Sequence, residues 1–478
     1  MHAWRTFAAL AVLPLMTGIV PMPVAVAESL PDALGSAYKT NPRLDAARAT
    51  LRATDEEIAR AKSGYRPTVT GTADVGYQRT ETSPKSPADG EVHPKGYAVT
   101  VSQPIFRGFR TLNGVRAAEA TVRAGRETLR TTEQSVLLEG ATAYMDVVRD
   151  QAIVKLRENN VNVLSRELKA TQDRFSVGEV TRTDVAQAEA RRAASVSALD
   201  LAKSSLKTSR ATFERVVGHP PANLRDQKPI ERLLPSSVDD AISIGLKENP
   251  AVVAALYREA SARATVDVTW GELLPTVTLE GNYSHRYDTS RTVDELETSS
   301  VTGRVSVPLY PAGETQARVR QSKHTHVSRL QEIEQNRTEV QATVVSSWST
   351  LVASRAQLVS DRAQVAATRV ALAGVREEER VGQRTLLDVL NAEQEALNAE
   401  VSLVTTQRNL VVASYTVLSS VGRLTMPNLG VVEHVYDPEA HYFEIRRKWW
   451  GISITRQNGH HERHDLWETH GSSHESMK

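Results

Sequence analysis

The side chains best placed to do chemistry lie in two copies of one pattern. The first copy reads Val177-Gly178-Glu179-Val180-Thr181-Arg182-Thr183-Asp184-Val185 and continues to Glu189. The second reads Val381-Gly382-Gln383-Arg384-Thr385-Leu386-Leu387-Asp388-Val389 and continues through Asn391 to Glu393. A glycine just past a helix end lets the chain enter the left-handed region. A threonine followed three residues later by aspartate starts the next helix with a capping box. Each copy therefore sets a carboxylate, Asp184 or Asp388, at the tip of a helical hairpin, and Arg384 adds a cation to the second. The chemistry available is electrostatic: capping of exposed N–H groups, ion pairing, and charge beside an opening. It is not bond-making chemistry. The chain has no P-loop, no dinucleotide fingerprint and no nucleophile paired with a base at a motif spacing, so neither an enzyme nor a cofactor is expected.

The remaining candidates are weaker. His460, His461, His464, His470 and His474 crowd the C-terminal end. They are a conceivable zinc or copper set, but a polar tail without fixed structure explains them as well. His219, His324 and His326 show no partner pattern. Net charge is +1 and aromatics are 5%, and no basic stripe is interleaved with aromatics, so nucleic acid is not an expected partner. There is no cysteine, hence no disulfide and no lipid carried on an N-terminal cysteine.

The elements that position the two tips follow from periodicity. Residues 1–27 read as a signal peptide: His2 and Arg5, an apolar run from Phe7 to Val20, then Ala25-Val26-Ala27 as an A-x-A site. An uncleaved anchor is the alternative. From Ser29 the pattern is helical, broken at Asn41-Pro42. The period changes to two after Pro67. Val69, Gly71, Ala73, Val75 and Tyr77 alternate with polar residues, and after a loop over 80–95 Tyr97, Val99 and Val101 do the same, with Pro104-Ile105-Phe106-Arg107-Gly108 expected to close the hairpin. A soluble β-sandwich hairpin would show the same alternation. A helix of about 100 Å is expected from Thr111 to Phe175. Its heptad runs Val115, Val122, Leu129, Val136, Ala143, shifts by four, and resumes Val147, Val154, Val161, Leu168, Phe175. Such a repeat is a coiled-coil seam with one stutter. After the first tip the helix returns through Leu199, Leu206 and Phe213 to Gly218.

The second half repeats the first. Asn249-Pro250 and Pro275 follow Asn41-Pro42 and Pro67 at a constant spacing of 208, and Pro308 and Gly382 follow Pro104 and Gly178 at 204. The seam recurs in Val319, Ile333 and Val340, then Leu351, Leu358, Val365 and Leu372, with His326 in one apolar slot. The chain therefore divides into a leader at 1–27, one repeat at 28–218, a linker at 219–236, a second repeat at 237–422, and a tail at 423–478 whose His-rich end is expected to be disordered. Two strands per repeat give about four per chain. Four strands cannot close a barrel, for which about eight is the minimum, and an open sheet edge is forbidden in lipid. If the sheet enters a membrane, several copies must share it.

The duplicated order of helix, two strands, long helix, V-G-x-x-T-x-x-D-V tip and returning helix resembles the TolC-like outer-membrane efflux proteins over roughly Ser29 to Gly422. The resemblance implies an α+β membrane protein: a homotrimer whose 12-stranded β-barrel in the outer membrane, in contact with lipid, continues into a long α-helical coiled-coil barrel in the periplasm. It implies an exit duct for drugs, other small molecules or proteins, working with a periplasmic adaptor protein and an inner-membrane transporter of the ABC or RND type. It implies that Thr183, Asp184 and Arg384 form the periplasmic gate, that Asp388 and Asn391 narrow the pore, and that Val177, Gly178, Glu179, Val381, Gly382 and Gln383 form the turns on which the adaptor docks. Two departures from the family pattern stand out. Asn391 replaces an acidic residue often found there, and Glu379 stands where an aromatic gate residue can occur. The competing function is a periplasmic coiled-coil adaptor that never enters a membrane, although no lipoyl-like segment accompanies the hairpins.

Overall fold

The computed structural model describes residues 28–431 and 435–454. The leader read over 1–27 and the histidines from His460 onward lie outside the described residues. Helices α1 (Leu30–Thr40) and α2 (Pro42–Lys62) lead into strands β1 (Thr68–Val75), β2 (Gln78–Thr80), β3 (Gly90–Val92) and β4 (Lys95–Arg107). The long helix α3 (Arg110–Ser176) and its return α4 (Arg182–Val217) complete the first set. The second set is α5 (Val238–Glu248), α6 (Pro250–Trp270), β5 (Thr276–Ser290), β6 (Val293–Ser306), α7 (Glu314–Arg380) and α8 (Leu386–Ser420). Two short helices follow, α9 (Met426–Leu429) and α10 (Ala440–Ile445).

The duplication extends to individual hydrogen bonds. Asn41 caps α2 by accepting from the Arg43 N–H at 3.0 Å, and its amide donates to the Val216 carbonyl at 2.9 Å. Asn249 accepts from the Ala251 N–H at 2.9 Å and donates to the Ser420 carbonyl at 2.8 Å. In each repeat the Asn-Pro break thus clips the short helices onto the end of the returning helix. The prolines sit in the first turn of the next helix, where a missing N–H costs nothing.

Each long helix has 67 residues, about 100 Å at 1.5 Å per residue. Their seams bury Val122, Val136 and Val147 on α3 and Ile333, Val340 and Leu351 on α7. Burial thins toward the tips: Val154 and Val161 are only partly covered and Phe175 is exposed. His326, in its apolar slot, is partnered after all, with Nε2 at 2.7 Å from Glu259 Oε1. The main core lies at mid-height, where Leu34 and Leu44 meet Val136, Leu137 and Tyr144 of α3, Phe213 of α4 and Leu418 of α8. Side chains of this size contribute roughly 1.5–3 kcal/mol each when fully buried.

The tail does more than end the pattern. Leu424 and Met426 are fully buried in the main core. Beyond them Glu439 pairs with Arg126 at 2.5 Å, and His441 Nδ1 lies 3.1 Å from Asp55 Oδ2. Residues 435–454 thus form a strap across α2 and α3.

The four long strands make one antiparallel sheet in the order β1-β4-β5-β6. The register sets Val69 opposite Val101, Val101 opposite Gly281, and Gly281 opposite Val301, one row across the sheet. The neighbouring row of Thr70, Thr100, Asn282 and Ser300 is polar. The alternation read from sequence therefore segregates into one apolar and one polar face. Two details differ from the sequence reading. The loop over 80–95 carries the small hairpin β2–β3, and β4 does not stop at Pro104 but runs to Arg107 through a register shift between Pro104 and Phe106. A bulge accommodates proline in a strand. Among the described residues no helix is long and apolar enough to cross a membrane. Sheet and helices join where Gly108 and Gly271 meet, so closely that a Cβ on either would lie 2.2 Å from the other's carbonyl oxygen.

Candidate functional site

The two tips are built bond for bond alike. At the first, Gly178 has φ +84° and the Glu179 N–H donates to the Arg174 carbonyl at 3.0 Å. At the second, Gly382 has φ +78° and the Gln383 N–H donates to the Glu378 carbonyl at 2.8 Å. This six-residue closure with a left-handed glycine satisfies carbonyls that the helix end leaves free. The next helix then starts on a full capping box. Asp184 Oδ2 accepts from the Thr181 N–H at 2.9 Å and the Thr181 hydroxyl at 2.8 Å, and the Asp184 N–H donates back to that hydroxyl at 3.3 Å. Thr385 and Asp388 repeat this at 3.0, 2.8 and 3.3 Å. The Thr385 backbone N–H, then its hydroxyl, holds the Asp388 carboxyl below the usual carboxylate range.

Charge distinguishes the copies. Arg384 Nε lies 2.9 Å from Glu378 Oε2, and that hydrogen bond and charge hold its guanidinium in the protonated form. Within one protomer Arg384 and Asp184 therefore have separate partners, Glu378 and Thr181, and are not brought together. Thr183 is exposed on the first turn of α4. Val177 and Val381 are large apolar residues left exposed on the turns, with Glu179 and Gln383 exposed beside them.

The contacts that join one tip to the other draw on arginines outside the motif, Arg174 and Arg191. Arg174 Nη1 donates to Glu379 Oε1 at 2.7 Å, and Arg174 Nε is 3.6 Å from Glu179. The Glu379 hydrogen bond and charge raise the Arg174 pKa above its ordinary value. One helical turn or more farther in, Arg191 Nη2 donates to Asn391 Oδ1 at 2.7 Å, while Arg376 pairs with Glu393 within the second hairpin. The departure at Glu379 thus has a structural answer: the carboxylate meets a cation from the other repeat. So does Asn391, which accepts an arginine hydrogen bond without adding a charge. A signal was present in the sequence. Arg174 and Glu379 stand four and three residues before equivalent glycines with opposite charges, but only the packing shows that they face each other. Among the described residues no group of three or more His, Asp or Glu side chains is placed to hold a metal ion.

The arrangement is a pair of capped turns at the ends of rods about 100 Å long, cross-tied by the part-buried Arg174–Glu379 ion pair. The outer membrane efflux protein family model matches residues 33–219 and 241–423. The outer membrane efflux protein BepC of Brucella suis biovar 1 (strain 1330) is 38% identical over 430 residues, which is 90% of this chain and 92% of that protein. The outer membrane protein TolC of Vibrio cholerae serotype O1 is 23% identical over 407 residues, 84% of this chain and 92% of its own. The crystal structure of the Campylobacter jejuni CmeC outer membrane channel superimposes with a TM-score of 0.75 over 87% of this chain and 89% of that one, at 16% identity, which is a likeness of fold. Tips, rods and sheet, together with the family match over both repeats, establish that the chain belongs to the outer membrane efflux protein family.

Proposed function

We propose that this protein is the outer-membrane exit duct of an export system, a homotrimer through which drugs, other small molecules or secreted proteins leave the cell. The observation that carries this reading is the sheet. It has four strands, one apolar face and two unpaired edges, β1 and β6. The strands alternate in direction, so β1 of one copy fits antiparallel against β6 of the next, and three copies give a closed ring of twelve. Closure removes the edges that lipid forbids. The exposed Val69, Val75, Tyr97, Val99 and Val301 then face the bilayer. The helices support the same stoichiometry. Val327, Val345, Val352, Val359 and Val370 leave an apolar stripe uncovered along α7, a second seam for a neighbouring copy.

In this assembly the two repeats, residues 28–218 and 237–422, each supply half of the protomer's wall, and the paired tips form the periplasmic entrance. Val177, Gly178, Glu179, Val381, Gly382 and Gln383 offer the docking surface for a periplasmic adaptor, which couples the duct to an inner-membrane ABC or RND-type transporter. The closed entrance is held by two kinds of link. Arg174–Glu379 ties the tips of one protomer, and Asp184 and Thr183 meet Arg384 of a neighbour. Asp388 and Asn391 line the narrowest ring, and the substitution at Asn391 weakens its preference for cations. The duct performs no catalysis; the pump supplies the energy.

Fractionation of cells expressing the full chain, followed by planar-bilayer recording of the outer-membrane extract, tests this reading. Discrete conductance steps from a trimeric species are expected. A soluble monomer without conductance would overturn it and favour a periplasmic adaptor.

A further inference from the structure

Helices α2, α3, α6 and α7 lie side by side and enclose a groove of about 840 Å³. Its floor is apolar, with Leu51, Ala124 and Leu129, and Thr128 and Thr265 line it with hydroxyls. Three arginines complete the lining, Arg258, Arg318 and Arg329, and no aspartate or glutamate belongs to it. Arg318 is neutralised by Glu272 at 2.9 Å and Arg329 by Glu332 at 2.6 Å. Among the described interactions Arg258 donates to the Thr128 hydroxyl at 3.3 Å and pairs with no carboxylate. The groove therefore carries one uncompensated cation beside an apolar floor.

Its orientation follows from α3. That helix gives Thr121, Gly125 and Thr128 to the groove. Arg126 and Glu133, on its opposite side, hold the tail through Glu439 and the Met426 N–H. The groove and the strap lie on opposite faces of the helical wall. Both flanking helices, α2 and α7, reach the groove, so the wall is concave toward it. A ring closed from such walls carries the groove on its inner surface.

We propose that this groove is a binding site for amphipathic organic anions on the inner wall of the duct, an inference that rests on the channel reading above. A sulfonate or carboxylate would accept charge-assisted hydrogen bonds from Arg258, while its apolar body lies on Leu51, Ala124 and Leu129. The volume suits one small molecule. Cargo of this class would pause there, and a non-transported analogue would obstruct the duct.

The absence of cysteine permits a clean test on the full-length protein extracted from outer membranes. Thr265→Cys places one thiol in the groove, and the same thiol with Arg258→Gln added is the reference. Each is modified with anionic sulfonatoethyl methanethiosulfonate and with its cationic trimethylammonioethyl counterpart, and followed by intact mass. The anionic-to-cationic rate ratio at position 265 should exceed that of the Arg258→Gln reference by at least about fivefold, because a local cation concentrates anions. Millimolar 1-naphthalenesulfonate should slow modification at 265 by a similar factor, and neutral 1-naphthalenemethanol should not. Adding Arg258→Gln should abolish both effects, and Arg258→Lys should retain them. Equal ratios with and without Arg258→Gln, or equal protection by the neutral compound, overturns the site. Conductance without protection overturns the groove and leaves the duct standing. Charge-dependent protection without conductance keeps the site and overturns the duct.

Discussion

Replacing Glu379 by glutamine removes the charged acceptor that joins the two tips of a protomer. Arg174 approaches it at 2.7 Å, with side-chain exposures of 41% for the arginine and 18% for the glutamate. A pair this open is screened by water and contributes about 0.5–1 kcal/mol. A closed trimer of the variant would lack three such ties, about 2 kcal/mol together, which is roughly a thirtyfold shift toward the open entrance. Glu179, 3.6 Å from Arg174 Nε, recovers part of the interaction, so an increase nearer tenfold is the expected lower end. The assay is the open fraction of single trimers in planar bilayers. Arg174→Gln should match Glu379→Gln, and the double variant should open little further, because both changes delete one interaction. High salt should narrow the difference from the parent. An open fraction within about twofold of the parent in both single variants would refute the latch, as would full additivity in the double.

Other parts of the molecule give equally definite expectations. Gly108→Ala puts a Cβ 2.2 Å from the Gly271 carbonyl oxygen at a residue with φ +60°, so assembled protein in the outer membrane should fall at least about fivefold, read by immunoblot. His441→Ala leaves Asp55, 0% exposed, without the imidazole 3.1 Å from its Oδ2. The strap should loosen by about 3 kcal/mol, and trypsin should then cleave at Arg446 and Arg447 far faster than in the parent. Burial holds the Glu133 carboxyl above its ordinary 4.5, against the opposing Met426 N–H and Arg48. A raised folded pKa contributes stability that is complete below about 4.5 and is lost as pH rises through the folded value. Glu133→Gln should therefore reduce the fall in thermal midpoint between pH 5 and pH 8, and an unchanged fall would exclude Glu133 as its source.

Local rules made much of this fold readable before any coordinates. The Asn-Pro breaks, the heptads nearest the core and the Gly–Thr–Asp tips all depend on neighbours a few residues apart, and each is found where periodicity puts it, whereas the heptad positions from Val154 to Phe175 are left partly or wholly uncovered. The strand alternation held because its period matches the pleat, and it extended even to the row from Val69 to Val301. What sequence could not supply was which distant surfaces face each other. Arg174 and Glu379 are ordinary helix-end charges until the two hairpins are laid side by side. The tail looked patternless because its contacts are single long-range pairs, such as His441 with Asp55, rather than a repeating face. The groove around Arg258 is assembled from four helices, none of which is distinctive alone. Asp184 and Arg384 sit on the tips as expected, but the link proposed between them joins different protomers.

Native mass spectrometry of the protein released from outer membranes tests the central claim most directly. The account predicts a single species containing three chains, since three sheets of four strands would close the proposed barrel and three neighbouring copies would cover the α7 stripe. A stable monomer, a dimer, or recovery only from the soluble periplasmic fraction would contradict it.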